Sequence, residues 1–374
     1  MKIWAVAFLA ATIGCGGGMA RNRPGGVDGG SDGGGAGSIP GCDPSQSMLT
    51  DDKDHDGYTP EQGDCNDCNP LVNPGAVNLP GDPTDYACNG MPGIQTPPCD
   101  TLNDGKNDPM SLAQAMELCD QRFIVSATMV APSDPRARKV VGKYGVVKTK
   151  AGRNMVVLST GLAGDEQDAS YVVPQQGTEL SAKNTVMNPD PTVPALAGCS
   201  MDQPMMVNDY SEFLLKLKAP SNAYSFSFNF QFLSAEYPEF VCTNYNDEFL
   251  VMQESANEFG KPQNISFDDK MNPITVNNGL FTVCTNDTSK PQAMHCTQPV
   301  SGINGTGYEV DDGSGIPVGG STGWLTTTSP VSPGEVVTLH FMIFDEGDHI
   351  YDSAVLIDNF QWSLTSIGAP MTIP

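Results

Sequence analysis

Eight residues, Ser225 to Phe232, alternate polar and aromatic without a break: Ser-Phe-Ser-Phe-Asn-Phe-Gln-Phe. Successive side chains on an extended strand point to opposite faces, so this run places Phe226, Phe228, Phe230 and Phe232 on one buried face. No helix can collect four rings at that spacing, and a strand carrying them needs a second apolar sheet to cover it. That second demand is met near the end of the chain. Val336 to Trp362 reads as two apolar strands flanking an acidic loop. Val336, Val337, Leu339, Phe341, Ile343 and Phe344 suit a pleated surface. After the loop, Val355 and Ile357 fall on one face, with Leu356 and Asp358 on the other. Between the strands lie Asp345, Glu346, Asp348 and Asp352, with Gly347 allowing the turn. The pattern predicts an antiparallel β-sandwich, jelly-roll-like, with an acidic edge.

Shorter β-type runs recur at Phe123–Val125, Tyr144–Thr149, Met155–Ser159, Phe249–Met252, Ile274–Val276 and Leu280–Val283. One helix is expected, from Pro109 to Cys119, with Asp108 as N-cap and Pro109 in the first turn. Its face would be Leu112, Ala115, Met116 and Cys119. The formal charge of −25 excludes nucleic acid as a partner, because a phosphate backbone requires a basic surface. It suits cations as counter-charges.

The chain opens on a targeting segment. Lys2 precedes an apolar run, Ile3 to Ile13, too short to span a bilayer as a mature helix. Thr12-Ile13-Gly14-Cys15 resembles a bacterial lipobox, although Thr12 stands where leucine is usual. The expectation is a signal peptide over 1–15, lipidation of Cys15, and membrane attachment through that anchor, with the protein exposed at the outer membrane. Residues 16–41 are glycine-rich without apolar periodicity and read as a disordered tether reaching roughly 25–30 Å. Removing Cys15 from the 11 cysteines leaves an even set suited to disulfides in an oxidising compartment. Cys284 and Cys296 flank a turn-rich stretch and are the first pair expected.

Asp52-x-Asp54-x-Asp56-Gly57-Tyr58 sets carboxylates at alternate positions before a glycine, so the backbone can curl their oxygens toward one centre. The backbone oxygen of Tyr58 would follow as a ligand. The twelfth position is Gly63 in place of a bidentate glutamate, and Asp64 comes one residue later, so the loop departs from an EF-hand. The segment through Asp64-Cys65-Asn66-Asp67-Cys68 and Asn73-Pro74-Gly75-Ala76 is similar to thrombospondin type 3 loops. It resembles more closely the metal-binding motif of Gram-negative surface lipoproteins. Asp52, Asp54, Asp56, Tyr58 and Asp64 are therefore the candidate metal ligands, and calcium the expected ion. Residues 42–103 are taken as a small disulfide-rich module, and Cys65-x-x-Cys68 as disulfide cysteines, since zinc would need a second pair or spaced histidines.

Phe232 to Met252 (FLSAEYPEFVCTNYNDEFLVM), with NISFD, PITVNN, the closing stretch Thr322 to Phe360 and the helix at NDPMSLAQAMELC, resembles the choice-of-anchor domain, type L. The resemblance covers about 104 to 366, leaving 367–374 as a tail. Ala235, Cys242 and the loop from Asp287 to Gly323 depart from its pattern. It implies a β-rich bacterial surface domain without established catalysis. Glu236, Asp247, Asp345, Asp348 and Asp352 fall at strand ends and could meet as a second cation site or a hydrogen-bonded acidic edge. The function expected is a non-catalytic, calcium-binding surface lipoprotein in adhesion or recognition, with a glycan or surface protein as ligand. The alternatives are a carbohydrate-binding module, with Tyr237, Tyr245, Trp324 and Tyr351 as platforms, or a glycoside hydrolase built on Glu236 with Asp247 or Asp348. No nucleophile elbow, zinc-protease helix or phosphate loop occurs in the sequence.

Overall fold

The computed structural model describes residues 37–94, 99–100, 105–180, 186–190, 199, 201–202, 204–286, 289–293, 295–309 and 318–374. Cys15 and the greater part of the tether lie outside the described residues. One α-helix is present among them, α1 (Pro109–Ala115). The strands in the first half are β1 (Ile124–Val130), β2 (Arg138–Val141), β3 (Lys143–Tyr144), β4 (Val147–Lys148), β5 (Met155–Ser159), β6 (Val186–Met187) and β7 (Met206–Lys218). Those in the second half begin with β8 (Ser225–Ser234), β9 (Glu248–Glu254), β10 (Gln263–Asn264), β11 (Ile274–Thr275) and β12 (Gly320–Ser321). They close with β13 (Leu325–Pro330), β14 (Val336–Asp345), β15 (Ser353–Ser363) and β16 (Met371–Ile373).

Two antiparallel sheets form the sandwich. The first runs β1-β7-β14-β9-β10, with β6 on β7 and β11 on β9; the second runs β16-β13-β8-β15-β5-β2, with β12 on β8. The alternating strand β8 lies inside the second sheet, between β13 and β15. Its four phenylalanines are fully buried and meet the other sheet directly. Phe228 stands edge-on to Phe341 at 5.2 Å, and Phe230 lies 5.0 Å from Phe249. Such pairs add about 0.5–1.5 kcal/mol each beyond the area they bury. The strands flanking the acidic loop belong to different sheets, β14 to the first and β15 to the second. The loop therefore crosses the edge of the sandwich.

Several expected elements differ. The helix ends at Ala115, because Glu117 takes a left-handed conformation (φ 64°) and redirects Leu118 and Cys119. The expected strand over Tyr144–Thr149 is the small β3–β4 hairpin, turned at Gly145, where an added Cβ would strike the backbone of Asn304 at 2.5 Å. Leu280–Val283 makes only isolated bridges at Val283. The tail contains β16, which pairs with β13. The longest strand, β7, lies in the middle of the first sheet and has no clear signature in the sequence.

The ten cysteines after Cys15 pair as Cys42–Cys68, Cys65–Cys88, Cys99–Cys119, Cys199–Cys242 and Cys284–Cys296. The last is the expected pair. Two bridges staple the Asp-rich segment, where Val72, Ala76 and Tyr86 form a small core of their own. Asn222 ties that segment to the sandwich, accepting from the Val77 N–H at 3.0 Å and donating to the Val77 carbonyl at 3.0 Å. Val77 itself enters the main core.

Candidate metal centre

Local turns create the acidic loop. His55 (φ 60°) and Gly57 (φ 93°) both adopt left-handed backbone, which curls the segment and turns its N–H groups inward. Each aspartate commits one oxygen to a nearby amide. The Asp56 N–H donates to Asp54 Oδ1 at 3.3 Å, Gly57 N–H to Asp52 Oδ2 at 3.2 Å, and Asn66 N–H to Asp64 Oδ1 at 2.8 Å. Lys53 N–H donates to Asp67 Oδ1 at 2.9 Å, clamping the two halves of the loop together. Asp56 is held twice, by the Tyr58 N–H at 2.8 Å and by Asn73 Nδ2 at 2.9 Å.

The remaining oxygens are the notable ones. Asp52 Oδ1, Asp54 Oδ2, Asp64 Oδ2 and Asp67 Oδ2 are buried and make no hydrogen bond. Two triads, Asp52–Asp54–Asp56 and Asp54–Asp64–Asp67, each bring one ligand atom per residue within 4.8 Å of the others, and Asp54 belongs to both. Among the described residues no other acidic, histidine or cysteine groups converge in this way. Without a counter-charge the carboxyls resist ionisation. Burial, then Asp56 and Asp64, push Asp54 up to about 7, and burial chiefly pushes Asp56 up to about 6. An all-oxygen donor set of this kind fits a hard cation.

Of the expected ligands, Asp52, Asp54, Asp56 and Asp64 meet in these triads. Tyr58 closes the loop, its hydroxyl lying where a Cβ on Gly75 would sit, 2.4 Å away. Asp67, only 1 % exposed, is a member the sequence reading left out, although its spacing from Asp64 within Asp-Cys-Asn-Asp was visible. Beside the loop is a cavity of about 430 Å³ lined by Asp56, Tyr58, Arg122, Phe123, Lys218 and Ser221, among others. Arg122 is held there by Asp120 and by the Pro74 carbonyl at 2.6 Å.

The second acidic set sits at the sandwich end that carries the β14–β15 crossover. Along each strand the inward ladder is apolar until its last step and then turns polar. Phe249 gives way to Asp247, Ile343 to Asp345, Phe213 to Ser211, Leu158 to Thr160, Val355 to Ser353, and Phe232 to Ser234. These six polar residues are buried and form a layer closing one end of the core. Glu236 follows Ser234 and accepts the Asp247 N–H at 3.0 Å. Burial first, then neighbouring carboxyls, raise Glu236 and Asp345 well above the usual carboxylate range; burial does the same to Asp247.

Asp352 borders the layer. Its Oδ1 accepts the Thr178 N–H at 3.1 Å, and burial pushes it up to about 8. Gly161 is required beside it, since a Cβ there would meet Asp352 Oδ2 at 1.8 Å. Asp348 is half-buried and caps its own turn, accepting the Ile350 N–H at 3.0 Å. The sequence reading missed Asp209, which pairs with His349 Nδ1 at 3.1 Å, and placed Glu346, which accepts from Asn188 and Asn246, in the acidic loop but not in the candidate set. Of the four aromatic platforms, Tyr237 is core, stacked on Phe281 at 4.5 Å. Trp324 and Tyr351 are half-buried, and Tyr245 alone is open, at 41 % exposure.

A two-sheet antiparallel sandwich with an acidic crossover and a disulfide-stapled Asp loop defines a β-rich, disulfide-bonded class of protein. Its family can be stated. The Choice-of-anchor L domain matches residues 111–361, well over half of the chain, and the chain belongs to that family. No curated protein matches it. Among solved structures it is similar to that of TmCBM61 in complex with β-1,4-galactotriose, at 8% identity and a TM-score of 0.27, covering 69% of this chain and 98% of that one. A likeness at that level carries no functional weight.

Proposed function

We propose that the chain is a non-catalytic, calcium-binding surface lipoprotein that acts in adhesion or surface recognition. The observation that carries the calcium reading is the set of buried, unpartnered oxygens on Asp52, Asp54, Asp64 and Asp67. Burying so many carboxylate oxygens without donors is unfavourable unless a cation takes them as ligands. Oxygen-only ligation by a flexible loop favours Ca²⁺ over Mg²⁺, which holds its waters more tightly. Family membership supports association with a bacterial cell surface. The Cys15 anchor rests on the lipobox resemblance alone, and a fatty-acid label that marks the wild type but not Cys15→Ala would test it.

Calorimetric titration of the full chain tests the metal. Wild type should bind Ca²⁺ at the loop with a dissociation constant of roughly 10⁻⁴ to 10⁻³ M, and Asp54→Ala with Asp56→Ala should remove that event. Undiminished binding at the loop in the double variant would overturn the reading.

The cavity beside the loop favours a glycan over a protein as ligand. Its volume of about 430 Å³ is in the range of small-molecule sites, and its lining combines Tyr58 and Phe123 with Arg122 and Lys218. Asp56 is shared by loop and cavity, so sugar binding should require calcium. A glycan array probed with and without Ca²⁺ tests this, with Tyr58→Ala as the control. The hydrolase alternative is disfavoured, because Glu236 and Asp247 are sealed from solvent. Loss of any polysaccharide hydrolysis on Glu236→Gln would revive it.

A further inference from the structure

We propose that the polar layer at the crossover end of the sandwich binds one divalent cation between Asp247, Asp345 and Ser353, and that this ion ties the two sheets together. Four enclosed oxygens of this layer make no well-formed hydrogen bond, Ser211 Oγ, Asp247 Oδ1, Asp345 Oδ1 and Ser353 Oγ, and the last three belong to residues in mutual reach through Asp247. Ser353 is fully buried, and its hydroxyl lies against Asp247 without a well-formed hydrogen bond; it is the independent sign of a missing ligand, since a buried hydroxyl almost always finds a good partner. The three oxygens come from the residue that leads into β9, from β14 and from β15, and therefore from both sheets.

The charge around them points the same way. Glu236 and Asp209 lie close enough to Asp345, and Asp352 to Asp247, for their charges to be felt, and Asp209 also pairs with His349 at 3.1 Å. Carboxylates so enclosed must be neutralised by protons or by a metal ion. Two carboxylate oxygens and a hydroxyl are hard donors, suited to calcium or magnesium and unsuited to a thiolate-seeking metal. The site differs from the Asp loop in kind. It has two carboxylate ligands from separate strands, and its ion would cross-link elements that no disulfide joins.

The test uses the full chain, in wild type and in an Asp54→Ala, Asp56→Ala background that silences the loop. Calcium and magnesium are titrated separately, with melting followed in excess ion and in chelator. The expected result is two calcium ions per wild-type chain and one in the background. In that background saturating calcium should raise Tm by about 4 °C or more. Adding Asp247→Asn or Asp345→Asn should abolish that remaining ion and the rise, while Ser353→Ala, which keeps both charges, should weaken binding about tenfold.

The outcomes separate this site from the loop. One ion in wild type and none in the background leaves the loop reading standing and overturns this proposal. One ion in both overturns the loop and keeps the proposal. An Asp247→Asn chain that melts as high as its parent in chelator, with a parent that gains nothing from either metal, means the layer is neutralised by protons, and the proposal falls. If Asp247→Asn does not fold, Ser353→Ala decides: unchanged affinity overturns the site.

Discussion

The Asp loop and the polar end layer are both strongly acidic, and they are built in opposite ways. The loop draws its carboxylates from one short segment, aimed by left-handed turns at His55 and Gly57 and by amides two or more residues along. The layer draws each polar group from a different strand. Its contacts join residues as distant as Thr160 and Ser353, whose amide donates to the Thr160 hydroxyl at 2.8 Å. The loop is acidic because its sequence is acidic. The layer is acidic because sheet register stacks isolated carboxyls at one level of the core. A loop of the first kind can open while the sandwich stays folded, whereas the layer can open only with the sheets.

The largest effect should come from attacking that independence. Cys65–Cys88 closes the loop across a sequence separation of 23 residues. Replacing both cysteines with serine should cost the Asp-rich segment about 3 kcal/mol. Limited proteolysis should then cut within 42–94, calcium affinity should drop more than tenfold, and the main melting transition should stay in place. A main transition that falls with the bridge would show that loop and layer are one cooperative unit.

A third acidic site sharpens the contrast, because protons alone can satisfy it. Glu117, two residues past α1, faces Asp358 of β15 and Asp100; its Oε2 accepts the Asn359 N–H at 2.8 Å. Asp358 accepts the Lys150 and Ala151 amides, and Asp100 those of Arg153 and Asn154. Burial, then Asp358 and Asp100, push Glu117 up to about 9, and burial pushes Asp358 up to about 6. A carboxyl kept protonated by the fold stabilises it in acid. That contribution is complete below the ordinary carboxylate range and is lost as pH rises through the folded-state value. Stability in chelator should therefore fall between pH 5 and pH 9, by on the order of 2 kcal/mol after solvent screening. Glu117→Gln, a neutral mimic of the protonated acid, should flatten that slope. An unchanged slope would place the pH dependence in another group.

How far each region could be read from the sequence follows from the same contrast. The phenylalanine ladder of β8, the crossover strands, the Asp loop and the Cys284–Cys296 bridge were legible, because each is written in contiguous residues or an unbroken period of two. Strand β7 was not. Its run Met206–Lys218 carries Asn208, Asp209, Ser211 and Glu212 in its first half, and only pairing with β1 and β14 makes it central. The layer was half legible. Glu236, Asp247, Asp345 and Asp352 stood out as strand-end acids, but Ser353, Thr160 and Ser211 look ordinary until the inward period of each strand is extended by one step. Asp209 was hidden by a register shift between Ile343 and Asp345 that sets its backbone at φ 45°. Glu117 and Asp358, 241 positions apart by their numbers, carry no shared local pattern.

The smallest effect marks where the layer stops. Asp348 lies in the crossover among the acids of the layer, and by sequence it belongs with Asp345 and Asp352. Its side chain instead caps the turn, accepting the Ile350 N–H, and its carbonyl accepts from Asn208 Nδ2 at 2.8 Å. It is half-buried, so water can replace a lost hydrogen bond at little cost. Asp348→Ala should therefore destabilise the chain by about 0.5–1 kcal/mol, a shift of roughly 1–4 °C in Tm, without changing the number of calcium ions bound. Asp348→Asn keeps an acceptor oxygen for the Ile350 amide and should lie closer to wild type. If either variant loses a calcium ion, Asp348 is a ligand. The layer would then reach beyond the inward ladder, and the distinction between a site made by local turns and one made by sheet register would fail at the crossover.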